Sequence, residues 1–178
     1  MRSPEDTPTD ADQLIRFGVI ASVDLSAGRC IVSLDDESRS PPIRWIERRA
    51  GRTRTWSPPS QGEQVVLLCP GGEIGAAVAL RGLFSSACPA PGNDEAELIE
   101  FEDGAVFSYD PKAHALACIL PAGGTAEITA PGGFTLVGDL VVRGKVSADG
   151  DVLSGSISLS RHRHSGVSSG SSQSGGPL

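Results

Sequence analysis

The chain has 178 residues, of which 39% are hydrophobic and only 4% aromatic, and its formal net charge is -7 at pH 7. This length allows one or two small domains, and the negative charge argues against general nucleic-acid binding, because phosphate contacts need a basic surface. The 22 glycines and 13 prolines favour short strands with many turns over helices.

Residues 1–13 are acidic and rich in Pro and Thr, and we interpret them as a flexible N-terminal arm with no signal peptide. No apolar run approaches the ~18 residues that a transmembrane helix requires, so we expect a protein made in the cytoplasm and not integral to a membrane. The cysteines are widely spaced, without a CxxC pair, and we expect free thiols and no zinc ribbon. They are Cys30, Cys69, Cys88 and Cys118.

Residues 14–86 predict a small closed β-barrel of the OB-fold type. Near-alternating apolar residues indicate a first hairpin, with a turn at Ser26-Ala27-Gly28. Three further apolar segments follow, each bounded by Gly or Pro, and five short strands in so short a stretch are typical of a barrel. The predicted strands lie at 14–24, 29–34, 43–46, 63–68 and 74–83.

A breaker cluster at Pro89–Asn93 marks a linker over residues 87–103, and a different pattern follows at 104–160. That region has short apolar segments separated by Asp-Gly, Asp-Pro and Pro-Gly-Gly turns, with one apolar face and little bulk to cover it. Such a chain cannot bury itself alone, which predicts a solenoid or an intertwined β-helix. Strands are expected at 97–101, 105–109, 115–120, 126–129, 134–137 and 139–146.

The segment 161–178 contains two of the three histidines, His162 and His164, one residue apart. On a strand they would share one face, with Arg161 and Arg163 on the other, and imidazole is the commonest biological metal ligand. Two ligands are too few for a closed site, and a threefold axis would supply six imidazoles. The competing interpretation is a solvated polar tail.

The remaining histidine, His114, is interpreted as an exposed loop residue that follows Asp110-Pro111. Ile157 and Leu159 are odd-numbered whereas the two C-terminal histidines are even-numbered, so a bulge or turn is expected between Leu159 and His162.

An arginine cluster with two tryptophans is the strongest competing signal in the barrel. It could bind single-stranded nucleic acid, dock an acidic hub subunit, or be a charged, solvated loop beside a packed Trp pair. The acidic chain favours the last two interpretations. No phosphate loop, nucleophile elbow or base near a carboxylate pair supports catalysis, so we expect no enzyme activity and no small-molecule substrate. The cluster consists of Arg44, Trp45, Arg48, Arg49, Arg52, Arg54 and Trp56.

Several of these stretches resemble the phage baseplate assembly protein V family, the central spikes of contractile tails. The most specific part in the barrel is Trp-Ser-Pro-Pro followed by Gly-Glu-Gln-Val. The matching residues there are Gly18–Ile20, Trp45-Ile46, Arg49–Pro59, Gly62–Leu67 and Pro70–Glu73. At the C-terminus they are His162–Val167 and Gln173–Pro177, and the resemblance covers nearly the whole chain from about Ile15.

The resemblance implies an all-β protein with an N-terminal OB-fold, an intertwined trimeric β-helix shaft and a small metal-bound C-terminal apex. It implies one metal ion per trimer on the threefold axis, with iron preferred, bound by His162 and His164 of three chains. The implied partners are baseplate hub or tail tube proteins, with transient contact to the host outer membrane and no nucleic acid.

The prediction is therefore a spike in the virion tail baseplate, needed for baseplate assembly and for piercing the host outer membrane. It would be made in the host cytoplasm and enter the host envelope during infection. The alternatives are the spike of a phage-derived contractile injection device, a single-stranded nucleic-acid binder and a metalloenzyme with a vacant coordination position.

Overall fold

A computed structural model of the chain describes residues 11–166 and 170. The chain forms two compact units that divide between Ala126 and Glu127. The fold is nearly all β, with a nearly closed barrel in the first unit, and this confirms the predicted all-β class and the barrel of the OB-fold type. None of the helices in residues 11–166 has the length and apolar character needed to cross a lipid bilayer.

The barrel is a five-stranded sheet in the order β2-β1-β4-β5-β3. All neighbouring strands are antiparallel except β3 and β5. Cys30 and Ile43 exchange two backbone hydrogen bonds of 2.9 Å, which tie β2 to the segment entering β3 and so nearly close the sheet. The strands are β1 (Ile15–Asp24), β2 (Arg29–Ser33), β3 (Arg44–Trp45), β4 (Gln64–Leu68) and β5 (Val78–Leu83).

Small aliphatic and thiol side chains fill the barrel, as the low aromatic content predicts. In β2 and β4 every second residue is buried, because alternate side chains of a strand point to opposite faces. Gly18 lies next to the end of the β1–β2 pairing, where a Cβ would approach the Ser33 carbonyl oxygen to 2.8 Å and would also meet Val32. The core consists of Ile20, Cys30, Val32, Ile43, Val65, Leu67, Cys69, Ala77 and Ala79.

The cysteines are all free thiols, as expected; Cys30 and Cys69 are buried, and Cys88 and Cys118 are exposed. Burial raises the pKa of both core thiols, which keeps them in their neutral, unreactive form.

The first unit also contains a three-stranded antiparallel sheet of β6 (Glu97–Glu100), β7 (Val106–Asp110) and β8 (Ala115–Ile119). The three strands form where the sequence predicts them, within a residue or two at each end. A turn joins β7 to β8, and Asp110 accepts hydrogen bonds there from the amides of Lys112 and Ala113. His114 ends this turn with a φ of 53° and is exposed, which agrees with its interpretation as a loop residue.

In the second unit, the only strands within residues 127–166 are β9 (Leu153–Ser154) and β10 (Ile157–Ser158), which form one short hairpin. The strands expected at 126–129, 134–137 and 139–146 do not form in the single chain. The physical reason is that these segments have no neighbouring strand of their own chain with which to pair. Their apolar side chains are exposed, Val137 by 93% and Val141 by 78%.

At the N-terminus, Ala11–Leu14 forms one helical turn that leads directly into β1, and the Leu14 carbonyl accepts a 2.8 Å hydrogen bond from the Cys69 amide. The rest of the predicted arm, residues 1–10, lies outside the described residues, as do residues 167–169 and 171–178 of the predicted apex.

Candidate functional sites

Asp151 organises the end of the second unit. Its carboxylate accepts hydrogen bonds from the Ser158 hydroxyl and, at 3.1 Å, from the Ser160 amide, and these bonds hold the pKa of Asp151 below its usual value. The Ser158 hydroxyl oxygen in turn accepts a 2.9 Å bond from the Arg161 amide. The hairpin is thereby connected to the segment that carries the histidines. Sequence analysis did not identify Asp151 as a functional residue. The available signal was its position seven residues before the Ser-x-Ser pattern of Ser158 and Ser160.

The two C-terminal histidines lie together, with ring centroids 5.1 Å apart and planes inclined by 79°. The expected interruption before them is present as a turn over residues 159–161. Residues 162–164 are not a strand, so strand alternation does not apply to Arg161 and Arg163; both arginines are exposed. All four residues from Arg161 to His164 line one open pocket of about 400 Å³.

The orientation of His162 fits a metal ligand. Its Nδ1 lies 3.0 Å from the Ser158 carbonyl oxygen and 3.1 Å from that of Leu159. A carbonyl only accepts hydrogen bonds, so a neutral ring in this position carries its proton on Nδ1 and leaves the lone pair of Nε2 free. Metal-bound histidines commonly donate their other ring N–H to a backbone carbonyl in this way.

One chain supplies too few ligands to hold an ion. Within residues 11–166 and 170, no three His, Cys, Asp or Glu side chains are grouped closely enough for a metal. Two exposed imidazoles from one chain therefore fit the expectation that other copies complete the coordination.

Glu47 organises the arginine cluster of the barrel. Its carboxylate accepts hydrogen bonds from the Trp45 indole at 3.0 Å, the Thr55 hydroxyl at 2.8 Å and the Ser57 amide at 2.9 Å, and it lies 3.6 Å from the Arg81 guanidinium. Burial alone would raise the pKa of Glu47, but these bonds and the Arg81 charge outweigh it, and the pKa is lowered. The sequence signal for Glu47 was its position as the only acidic residue among five arginines.

The loop that Glu47 fixes presents its arginines to solvent. The Thr55 amide donates a 2.9 Å bond to the Arg49 carbonyl, and Trp56, 60% exposed, packs on Trp45 with a centroid distance of 5.5 Å. The interpretation as a packed Trp pair beside a charged loop agrees with this arrangement. Five arginines are exposed and have no carboxylate of the described residues within 4 Å: Arg44, Arg48, Arg49, Arg52 and Arg54.

Comparison with known proteins gives two family matches at the two sites just described. Residues 16–84 match the Type VI secretion system/phage-baseplate injector OB domain, and residues 156–177 match the GpV Apex motif. The chain is also similar to the spike protein of Escherichia phage P2, with 42% identity over 123 residues. That alignment covers 68% of this chain and 57% of the length of the phage protein.

The barrel match spans all five strands of the closed sheet, and the apex match includes the hairpin strand β10 and both C-terminal histidines. The two matches therefore lie at the two ends of the chain, in the order that a spike with an OB domain and an apex requires. The chain belongs to the phage baseplate assembly protein V family of baseplate spike proteins.

Proposed function

We propose that the chain is the homotrimeric central spike of a contractile phage tail, a mechanical protein without enzymatic activity. The observation that carries this proposal is the apolar surface of the second unit. Large apolar side chains from Ile128 to Leu159 are exposed by 46–93%. Exposed apolar surface on this scale marks an interaction surface, and copies of the same chain would cover it.

The total surface of the chain supports the same conclusion. Its accessible area is 15283 Å², whereas a compact monomer of 18.4 kDa exposes about 8,200 Å². The 21 residues outside the described part would add about 3,000 Å² even as extended chain. A surplus of some 4,000 Å² remains, which is the range that obligate oligomers bury between subunits.

In a threefold assembly, strands of one chain would pair with those of the next, and closure would leave no free edge. This would give residues 126–129, 134–137 and 139–146 the hydrogen-bonding partners that they lack in the single chain. A stiff, narrow shaft of this kind is what piercing the host outer membrane requires. The OB-fold at the other end would serve baseplate assembly by docking to hub or tail tube proteins.

The apex would hold one metal ion on the threefold axis, bound by His162 and His164 of all three chains. Six neutral nitrogen ligands suit Fe(II) or Ni(II) better than zinc, which prefers four, and iron is the ion we propose. The ion would supply a structural crosslink where the shaft has least core. The Ser158 and Leu159 carbonyls would orient the His162 ring, which favours Nε2 as its binding atom.

The proposed location is the virion tail baseplate, after synthesis in the host cytoplasm and before entry into the host envelope. The spike of a phage-derived contractile injection device would need the same architecture. A single-stranded nucleic-acid binder is supported by one observation, the exposed arginines beside Trp56. Binding of an oligonucleotide that weakens steeply with salt would favour that function.

Metal analysis tests the apex. We expect about one iron per three chains in protein purified without chelators or an affinity metal, and none in the His162→Ala/His164→Ala variant. The matched control is His114→Asn, which changes the histidine of the β7–β8 turn and keeps a residue that tolerates its positive φ. Metal content near zero in the unaltered protein, or equal in the double variant and the control, would contradict the metal site.

A further inference from the structure

An open cavity of about 630 Å³ lies beside the arginine cluster, and strands β5 and β6 both contribute to its wall. Its apolar lining consists of Ile46, Trp56, Leu80 and Ile99, which are 39–60% exposed. Tryptophan is the residue type most often found as an anchor at protein interfaces, because it combines a large apolar area with a polar N–H group. The cavity therefore has the composition of a binding site, which the barrel core does not use.

The Arg81 guanidinium holds the walls of this cavity in place. It donates hydrogen bonds to the carbonyl oxygens of Ser57 and, at 3.3 Å, of Ile46, and it lies 3.6 Å from the Glu47 carboxylate. The second carboxylate of the lining, Glu63, accepts a 3.0 Å bond from the Ser60 amide. Both acidic groups of the cavity are thus bonded within the chain, and its shape is fixed before anything binds.

Strand β5 has a free backbone edge next to the cavity. β3 pairs with β5 only at Val78 and Ala79, and the Ile46 amide donates a 2.9 Å hydrogen bond to the Ala79 carbonyl. Within the described part of the chain, residues 80–83 have no partner strand on the β3 side, and three of these four residues line the cavity. A free edge of this kind accepts an extended peptide as an additional strand.

The charges around the cavity indicate the chemistry of its occupant. Arg48 lines the cavity, and it belongs to the five exposed arginines without a described carboxylate within 4 Å. In a chain with a net charge of -7, this concentration of positive charge is local, and it directs an acidic partner to one surface.

A single-stranded nucleic acid fits this surface less well than a protein segment. Nucleic-acid binders stack successive bases on several aromatic side chains, whereas Trp56 is the one aromatic residue of the described chain that lines the cavity. The free edge of β5 offers amide and carbonyl groups at the spacing of a peptide main chain.

We infer that this cavity, the free edge of β5 and the exposed arginines form one docking site for an extended acidic segment of another protein. Alternate side chains of such a segment point to opposite sides. Apolar side chains would enter the cavity against Trp56 and Leu80, and carboxylates between them would remain outside it, within reach of the arginines. The inference rests on the proposed docking of the barrel to baseplate proteins, and it assigns that docking a surface and a binding chemistry.

Fluorescence anisotropy of the purified full-length protein tests the site with defined probes. The probe is a labelled octapeptide of alternating glutamate and valine. The comparison probes are the same peptide with lysine for glutamate, the same peptide with serine for valine, and oligodeoxythymidine. We expect the glutamate–valine peptide to bind at least about tenfold more tightly than each of the others. Equal binding of the three peptides would overturn the site, and tighter binding of the oligonucleotide would assign the surface to nucleic acid instead.

Arg48→Glu and its control Arg39→Glu test the charge at the site. Both variants make the same change of charge at an exposed position, but Arg39 lies outside the cavity and the arginine cluster. We expect peptide binding at least about tenfold weaker for Arg48→Glu and nearly unchanged for Arg39→Glu, because a like charge next to the bound glutamates repels them. Equal binding by the two variants would overturn the assignment.

Trp56→Ala and its control Phe84→Ala test the apolar part of the site. Both residues are largely exposed, by 60% and 67%, and Phe84 does not line the cavity. We expect at least about tenfold weaker peptide binding for Trp56→Ala alone. Thermal unfolding of both variants shows whether the barrel is intact, and if Trp56→Ala unfolds, the Arg48→Glu comparison decides the matter.

The docking site and the proposed trimer can fail separately, because every residue that lines the cavity belongs to the first unit of one chain. A protein that is trimeric by light scattering and binds no peptide would overturn the site, also where a second copy already fills it, and would leave the proposed spike standing. A monomer that binds the peptide would support the site and contradict the trimer. A monomer that does not bind it would overturn both.

Discussion

At the scale of single residues, two carboxylates determine the local order of the candidate sites. Glu47 holds the arginine loop through three hydrogen bonds and an ion pair, and Asp151 holds the hairpin through the Ser158 hydroxyl and the Ser160 amide. Neither belongs to a recognisable motif, and the sequence showed only the arginines and histidines that they support. Hydrogen bonds across seven to ten residues depend on loop conformation, which residue spacing alone does not specify.

Replacing Glu47 tests its role in the barrel. We expect Glu47→Gln to lower the free energy of unfolding by about 1–3 kcal/mol at pH 7, because hydrogen bonds to a charged acceptor are lost. The folded-state pKa of Glu47 is below its ordinary value, so its contribution is present above the unfolded-state pKa and disappears as the pH falls through the folded-state pKa. The difference between the variant and the unaltered protein should therefore vanish in acid.

Denaturant unfolding followed by circular dichroism at several pH values measures this difference. Glu73→Gln is the control, because Glu73 is exposed and its side chain makes no hydrogen bond or ion pair with another described residue. If the two variants unfold alike at every pH, Glu47 does not stabilise the barrel.

At the scale of elements, the sequence predicts the strands of the two larger sheets, although the strand expected at 74–83 begins only at Val78, and it does not predict the short hairpin of β9 and β10. The alternation in residues 14–34 predicts β1 and β2, and the continuous apolar run in residues 63–68 predicts β4, because each strand has a side that faces the barrel core. Residues 126–146 show similar apolar patterning but form no strand in the single chain. Apolar patterning indicates which face of a segment has to be buried, but it does not indicate whether the same chain or another chain buries it.

Gly18 gives a prediction at this scale. Gly18→Ala should destabilise the barrel by about 1–3 kcal/mol, because a methyl group there would meet Val32 and the Ser33 carbonyl oxygen of the neighbouring strand β2. Gly51→Ala is the matched control, with no heavy atom within 4 Å of the added carbon. Thermal unfolding of the two variants makes the comparison. If the Gly18 variant is as stable as the Gly51 variant, β1 and β2 accommodate the added methyl group without loss of unfolding free energy, and the prediction is wrong.

At the scale of the whole molecule, the barrel and the second unit differ in whether the single chain buries its own apolar residues. The barrel encloses its apolar residues, whereas those of residues 127–166 are largely exposed. The sequence predicts both the barrel and the lack of a self-contained core in the shaft region. It also predicts that the His162 and His164 side chains lie side by side, and it bases this on strand alternation. In the structure a turn precedes His162, and two backbone carbonyls position its ring.

The assembly mass is the most direct test of the proposed spike. Light scattering on the purified full-length chain at micromolar concentration should give three times the chain mass of 18.4 kDa. The trimer should persist on dilution, because the surplus accessible surface of the single chain is in the range that obligate interfaces bury. A stable monomer at micromolar concentration, with the second unit still protease-resistant, would contradict the account.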